Sequence, residues 1–225
     1  MVHGLPSKEI VTSLHKDTCQ YLREQSTREL VMSALQSTAT PYWTVNDSPE
    51  GHWEVLHLLN QGTWNKVLFA EGQNGSSAWN DVLSLVRNIP GLMNECLFGN
   101  VMISKIHSGT TIEPHCGPTN VRHRLQFLLE MASEDKLKMS MLIGRDKQVF
   151  WNSVDNIFVF DDSYVHSVTY PQTKNGAERH EDHALTRTRT VLIVDLWNPY
   201  LSSMERLLLQ QLYPRFATQD AVKSS

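Results

Sequence analysis

Long apolar runs are missing from the 225 residues. No stretch of about eighteen apolar residues occurs, so no segment reads as a membrane span. The opening MVHGLPSKEIVTSLHKD holds no apolar core of the kind a secretory signal needs. Cysteine is scarce. Cys19, Cys96 and Cys116 are an odd set without a C-x-x-C pair. That argues against a disulfide framework or a cysteine-rich zinc module, and for a reducing compartment. A basic excess is also missing: the formal net charge is −4, which argues against a general nucleic-acid binder. Internal repeats and low-complexity tracts are absent. What is there, 40% apolar and 20% charged residues, is ordinary globular composition. The length suits one domain. The expectation is a single cytoplasmic domain, residues 1–225, that engages neither membrane nor nucleic acid.

Residues 8–36 place Ile10, Val11, Leu14, Leu22, Leu30, Val31 and Leu35 among polar residues, which predicts one or two amphipathic helices ended by Pro41. AWNDVLSLVRN at 78–88 predicts a short helix stopped by Pro90 and Gly91. From about 99 the pattern changes to short, apolar, β-branched runs: 101–106, 121–131, 137–143, 156–160 and 190–197. Strands at such spacing predict an all-β barrel or sandwich. SMERLLLQQLYPRF predicts a C-terminal helix interrupted by Pro214. The fold class is therefore mainly β with flanking helices: a helical extension over 1–45, a β core over 50–200, and a helix over 201–225. The polar stretch 171–188 between two strands reads as a functional loop or a bland insertion.

Strand parity decides which side chains share a face. In VRHRLQFLLE, Arg122, Arg124, Gln126 and Leu128 lie on one side; His123, Leu125, Phe127 and Leu129 lie on the other. Buried arginines need anionic partners, either a ligand carboxylate or the chain's own acids. In FVFDDSYVHSV, Asp162 and His166 share one parity if the strand continues that far. In RTVLIVDLW both faces are apolar, which predicts a covered central strand with Arg189 at its mouth. The segment HSGTTIEPHCGPTN (107–120) is rich in turn residues, and there His115 is presented rather than packed. Composition and parity alone raise His115 and His166 only modestly above the other eight of the ten histidines.

Three blocks carry more: ISKIHSGTTIEPHCGPTNVRHRL, then VFDDSYVHSV, then RTVLIVDLWNP. In this order, over about residues 101–200, they resemble the aspartyl/asparaginyl β-hydroxylase family. A weaker likeness runs back through WEVLHLLNQGT and the IPG at 89–91; residues 1–45 are not covered. The resemblance implies a double-stranded β-helix, a jelly-roll or cupin-like core, that uses Fe(II), 2-oxoglutarate and O2 to hydroxylate an unactivated carbon. It implies His115 and His166 as iron ligands. It implies a glycine, Gly117, where a facial triad would carry its carboxylate, with Asp162 holding the water that fills the gap. It implies Ser104, Arg124 and Arg189 as contacts of 2-oxoglutarate, with Gln126 in place of the family's usual histidine. Ser108 stands where the family has proline. The interval from His166 to Arg189 is longer than usual, so Arg187 competes for the role of Arg189.

Without a leader or anchor, the expected substrate is a cytosolic small molecule such as an amino acid or metabolite, ahead of a peptidyl Asp or Asn. A glycine at 117 leaves room for a halide, so halogenation, desaturation or cyclisation with the same cofactors stand as alternatives. A non-catalytic cupin-like binder is a third reading. His180 and His183 in RHEDH have ligand-like spacing but sit in a charged run that reads as solvated surface. Cys116 reads as a turn residue facing away from the metal. Trp151, Trp197 and Tyr164 read as packing more readily than as pocket lining. Glu130, Asp161 and Asp195 read as structural.

Overall fold

A computed structural model of the protein describes residues 5–6, 8–37, 42–69, 77–136, 138–150, 156–172 and 187–216. Pro41, Trp151 and the RHEDH histidines lie outside them. The described strands are β1 (Thr44–Asn46), β2 (Trp53–Asn60), β3 (Thr63–Trp64), β4 (Val101–His107), β5 (Thr110–His115), β6 (Arg122–Met131), β7 (Ser140–Ile143), β8 (Lys147–Phe150), β9 (Ile157–Asp161), β10 (His166–Tyr170) and β11 (Thr188–Trp197). The helices are α1 (Lys16–Glu24), α2 (Thr27–Ser37), α3 (Ser77–Arg87) and α4 (Ser203–Leu212). None is long and apolar enough to cross a membrane.

The strands form two antiparallel sheets. The larger runs β1-β2-β4-β11-β6-β9, with β3 paired to β2; the smaller runs β5-β10-β7-β8. Neighbours distant in sequence, such as β2 with β4 and β6 with β11, give the wound order of a double-stranded β-helix. The expected fold class is the observed one. β11 lies between β4 and β6, and both its faces are buried. Leu192, Val194 and Leu196 face a cluster shared with α1, α2 and α3. Val191 and Ile193 face a second cluster between the sheets, with Leu128, Met141, Phe160 and Val168. β6 alternates likewise, Leu125, Phe127 and Leu129 toward the helices and Leu128 toward the inside. A third, smaller cluster around Met93, Cys96, Val121, Trp197 and Leu201 seats α4.

Two expectations are corrected. Asp162 and His166 do not share a strand: β9 ends at Asp161 in the larger sheet, and β10 begins at His166 in the smaller one. The turn between them carries the chain from one sheet to the other. The segment before His115 is not merely a turn-rich link, because Thr110–His115 pairs with β10 as a strand. Trp197 is core in the third cluster and Tyr164 packs against the second, so neither aromatic lines the cavity.

Candidate active site

Between the sheets lies a cavity of about 310 Å³. Ser104, His115, Arg124, Gln126, His166 and Arg189 all line it. They come from β4, β5, β6, β10 and β11, so residues scattered over 86 positions of sequence meet because of strand pairing. His115 and His166 are register partners across β5 and β10, and their ring centroids are 4.2 Å apart. Each ring is held the same way. His115 Nδ1 lies 2.8 Å from the Glu113 carbonyl oxygen, and His166 Nδ1 lies 2.9 Å from that of Tyr164. A carbonyl oxygen only accepts, so Nδ1 carries a proton in both rings, and the neutral form of each ring has its lone pair on Nε2. Burial holds His166 down to about pKa 4. It is therefore a neutral imidazole at ordinary pH.

Asp162 sits against this pair, fully buried. Its Oδ2 accepts from Arg122 Nε at 2.9 Å and from Arg122 Nη2. Its Oδ1 has Arg124 Nη1 at 3.2 Å and His166 Nε2 at 3.7 Å, with no hydrogen bond of good geometry. Burial alone would raise its pKa, but Arg124 and Arg122 outweigh it and hold the carboxylate at about 2. Position 117 adjoins it. A Cβ there would fall within bonding range of Asp162 Oδ2, 2.7 Å from Cγ and 2.9 Å from Arg122 Nη2. The Asp162 carboxylate therefore fills the space a side chain at 117 would take. Gly117 N also donates to the Asp162 carbonyl at 2.7 Å. Two histidine rings lining one cavity, and a buried carboxylate oxygen without a hydrogen bond beside one of them, fit a bound metal ion and its water.

The arginines divide into two kinds. Arg122 and Arg124 pair with the chain's own acids: Arg124 Nε donates to Asp195 Oδ1 at 2.8 Å, and Arg122 Nη1 to Asp195 Oδ2 at 3.2 Å. Asp195 is thus a structural residue that holds both arginines from behind. Arg124 keeps one edge on the cavity, and Asp195 and Asp162 raise its pKa despite its burial. Arg187 is tied outside the cavity to Asp135 and Glu134. Arg189 lines the cavity at 2% exposure and burial pushes its pKa down to about 9. Its Nη2 donates to Gln126 Oε1, while Gln126 Nε2 lies 3.7 Å from Met141 Sδ. Because a guanidinium only donates, this fixes the amide orientation. Ser104 Oγ accepts from Trp53 Nε1 at 3.0 Å, leaving its own proton to give to the cavity.

Sequence reasoning missed the wall supplied by β1 and β2: Asn46, Trp53, Val55 and His57. His57 sits where the β2–β4 register shifts between His57 and Leu59, the kind of bulge that re-aims a side chain. Its Nδ1 is buried without a hydrogen bond, and burial lowers its pKa. The alternation of WEVLHLLN was the available signal.

Fold and site together define a double-stranded β-helix with a two-histidine centre. Residues 23–199 match the family model described as aspartyl/asparaginyl beta-hydroxylase, and the chain belongs to that family. Aspartate beta-hydroxylase domain-containing protein 2 of Xenopus tropicalis is 27% identical over 82% of this chain and 44% of its own length. The human protein of that name is 29% identical over the same shares. The chain thus spans less than half of these relatives. Among solved structures, an oxidoreductase of the 2OG-Fe(II) oxygenase family from Burkholderia pseudomallei superposes with TM-score 0.46 at 12% identity, over 87% of this chain and 95% of that one.

Proposed function

We propose that the chain is one oxygenase domain, an Fe(II)- and 2-oxoglutarate-dependent dioxygenase that hydroxylates an unactivated carbon of a cytosolic small molecule, an amino acid or metabolite. The observation that carries this reading is the His115–His166 pair, each Nδ1–H pinned to the carbonyl two residues before it and each Nε2 turned free. His115 and His166 would hold the metal, Asp162 would hold a metal-bound water, and Ser104, Arg189, Arg124 and Gln126 would face the keto-diacid. When bound, Fe(II) with 2-oxoglutarate and O2 supplies the oxidising power that converts C–H to C–OH as the diacid becomes succinate and CO2.

The chain's own part is orientation and exclusion of water. An imidazole whose Nδ1–H is held by a carbonyl presents Nε2 to a divalent cation, and His166, held neutral by burial, has no proton to lose first. Arg189 offers a planar, desolvated fork to a carboxylate. Gln126 holds that fork in one direction. The carboxylate of Asp162, ionised above about pH 2, orients what lies beside His166. The cavity is near the lower end of ligand-site volumes, roughly 300–1,000 Å³, which supports a small substrate over a folded one.

The space beside Gly117 favours hydroxylation over halogenation. A halide entering there meets the ionised Asp162 oxygen first. Purified protein supplied with Fe(II), ascorbate and 2-oxoglutarate is expected to release succinate, and His115→Ala and His166→Ala are expected to abolish it. Candidate substrates then give a product heavier by one oxygen, with or without bromide. No succinate from the intact chain, or equal succinate from both variants, would sink the reading.

A further inference from the structure

The larger sheet has a second histidine-rich face. Along β2, Trp53, Val55 and His57 point into the cavity, while Leu56 and Leu58 point the other way, toward the helices. Glu54 shares their parity, and His52 continues it. Along β4, Met102 and Ser104 line the cavity and Val101 and Ile103 face the helix side. Lys105 and His107 share that second parity. Three ligand-type side chains therefore meet at one edge of the outer face, separated by the sheet from His115 and His166.

Their spacing is open to a shared metal ion. His52 Nε2 is 3.5 Å from Glu54 Oε1, and His107 Nε2 is 3.5 Å from Glu54 Oε2. One ligand atom from each of the three lies within 4.8 Å of the others, the sole such group of three among the described residues. Ligand atoms about 2.1 Å from one tetrahedral ion are roughly 3.4 Å apart. A strong charged N–H···O bond would instead bring N and O to about 2.8 Å. The rings stand edge to face, centroids 4.9 Å apart.

The backbone fixes this arrangement in advance. His107 N donates to the His52 carbonyl at 3.0 Å. Thr110 Oγ1 donates to that carbonyl at 3.1 Å and accepts from His52 N at 3.0 Å. Gly51 just before has φ +82°, and any Cβ there would strike Thr110. Both histidines thus rise from paired strand ends rather than from a floppy loop, which is what a preorganised site requires.

We propose that His52, Glu54 and His107 form a second metal site, taking a Zn(II)-class divalent cation through two imidazoles and one carboxylate. Three protein ligands leave a fourth position to water. The competitor is Lys105. Its Nζ is 3.6 Å from Glu54 Oε2 and also lies over the Trp43 ring, 4.2 Å from its centroid. The indole gives the ammonium a second seat when the metal takes the carboxylate.

The test is metal counting by equilibrium dialysis of chelator-treated protein against micromolar Zn(II). The intact chain is expected to hold two equivalents. His52→Ala and His107→Ala lose one and keep the other. The His115→Ala/His166→Ala double variant loses the other and keeps the one described here. Co(II) in place of Zn(II) gives the double variant the strong visible absorption of a tetrahedral site. Lys105→Met tightens this equivalent about fivefold, from the loss of a neighbouring positive charge. Should an alanine variant fail to fold, Glu54→Gln, of nearly the same volume, replaces it, with folding checked by circular dichroism. Zn(II) retention by the double variant that survives Glu54→Gln, or no retention at all by a folded double variant, overturns the proposal. An intact chain that holds a single equivalent, removed by His52→Ala and unaffected by the His115→Ala/His166→Ala change, overturns the proposed function and leaves this site standing.

Discussion

At position 117 a hydrogen atom stands where Asp162 leaves no room for a methyl group. The requirement for glycine here is steric, since the Asp162 carboxylate, carried by the turn after β9, occupies the same space. Gly117→Ala is expected to lower stability by about 1–3 kcal/mol, the usual cost of overpacking. Asp162→Ala leaves Arg122 and Arg124 short of a buried carboxylate and costs about 3–5 kcal/mol. Because the two changes relieve one clash between them, the double variant should be less destabilised than the sum. Urea titration of all four proteins measures this; strict additivity would refute the shared-space argument. Gln126 gives a separate residue-scale prediction. Its Oε1 accepts from Arg189, so Gln126→Leu strips a buried guanidinium of an acceptor. Hydrogen bonds to charged groups are worth about 1.5–3 kcal/mol. The dissociation constant for 2-oxoglutarate, measured by calorimetry, should therefore rise by an order of magnitude or more, while metal content stays unchanged.

At the scale of elements, pairing does what local sequence does not. β5 and β10 bring His115 opposite His166, and the register breaks immediately afterwards, between His166 and Val168. On the opposite wall the β2 irregularity that carries His57 is pinned by one side chain. Asn65 Nδ2 donates to the His57 carbonyl at 3.0 Å, and Asn65 Oδ1 accepts from Val67 N and Leu68 N at 3.2 and 3.1 Å. Asn65→Ala leaves three backbone groups seeking water. At about 1–3 kcal/mol for groups left unsatisfied and about 2–4 °C per kcal/mol for a chain of this size, calorimetry should find the melting temperature lower by about 2–12 °C. No change would mean that the irregularity holds itself. The strands easiest to read in the sequence were β4, β6, β9 and β11, which are long or apolar on both faces. β1, β3 and β8 were not legible, because a strand of two to four residues carries too little periodicity.

For the whole molecule, the N-terminal segment is tied to the β core by a pair of buried histidines. His15 Nε2 and His123 Nδ1 are 2.9 Å apart. Burial first, and for His15 the proximity of His123 and Arg206, bring both to about pKa 4 from 6.5. Folded, each ring binds a proton less readily than unfolded. Between pH about 6.5 and about 4 the unfolded chain therefore takes up more protons, and stability must fall as the pH falls through that window. Asp162, depressed to about 2 from 3.8, adds a further loss below about pH 4. Urea midpoints from pH 7 to 4 should decline, and His15→Gln/His123→Gln should flatten the decline that remains after the His166 contribution. A flat profile in the intact chain would contradict the burial of these rings.

The chain by itself determined the alternation of its long strands, the helical stretches that flank them, and the three blocks whose likeness names the family, since side-chain period and local motif are properties of neighbouring residues. It also marked Gly117 as the place without a carboxylate. Only the tertiary structure decided that the Asp162 carboxylate packs into the space beside Gly117, and that Arg122 and Arg124 answer to Asp162 and Asp195. It alone aimed Arg189 inward and Arg187 outward, and made β2 a wall of the cavity. Those outcomes depend on which strands lie side by side, and hydrogen-bond register between distant segments leaves no trace in the local pattern of either one.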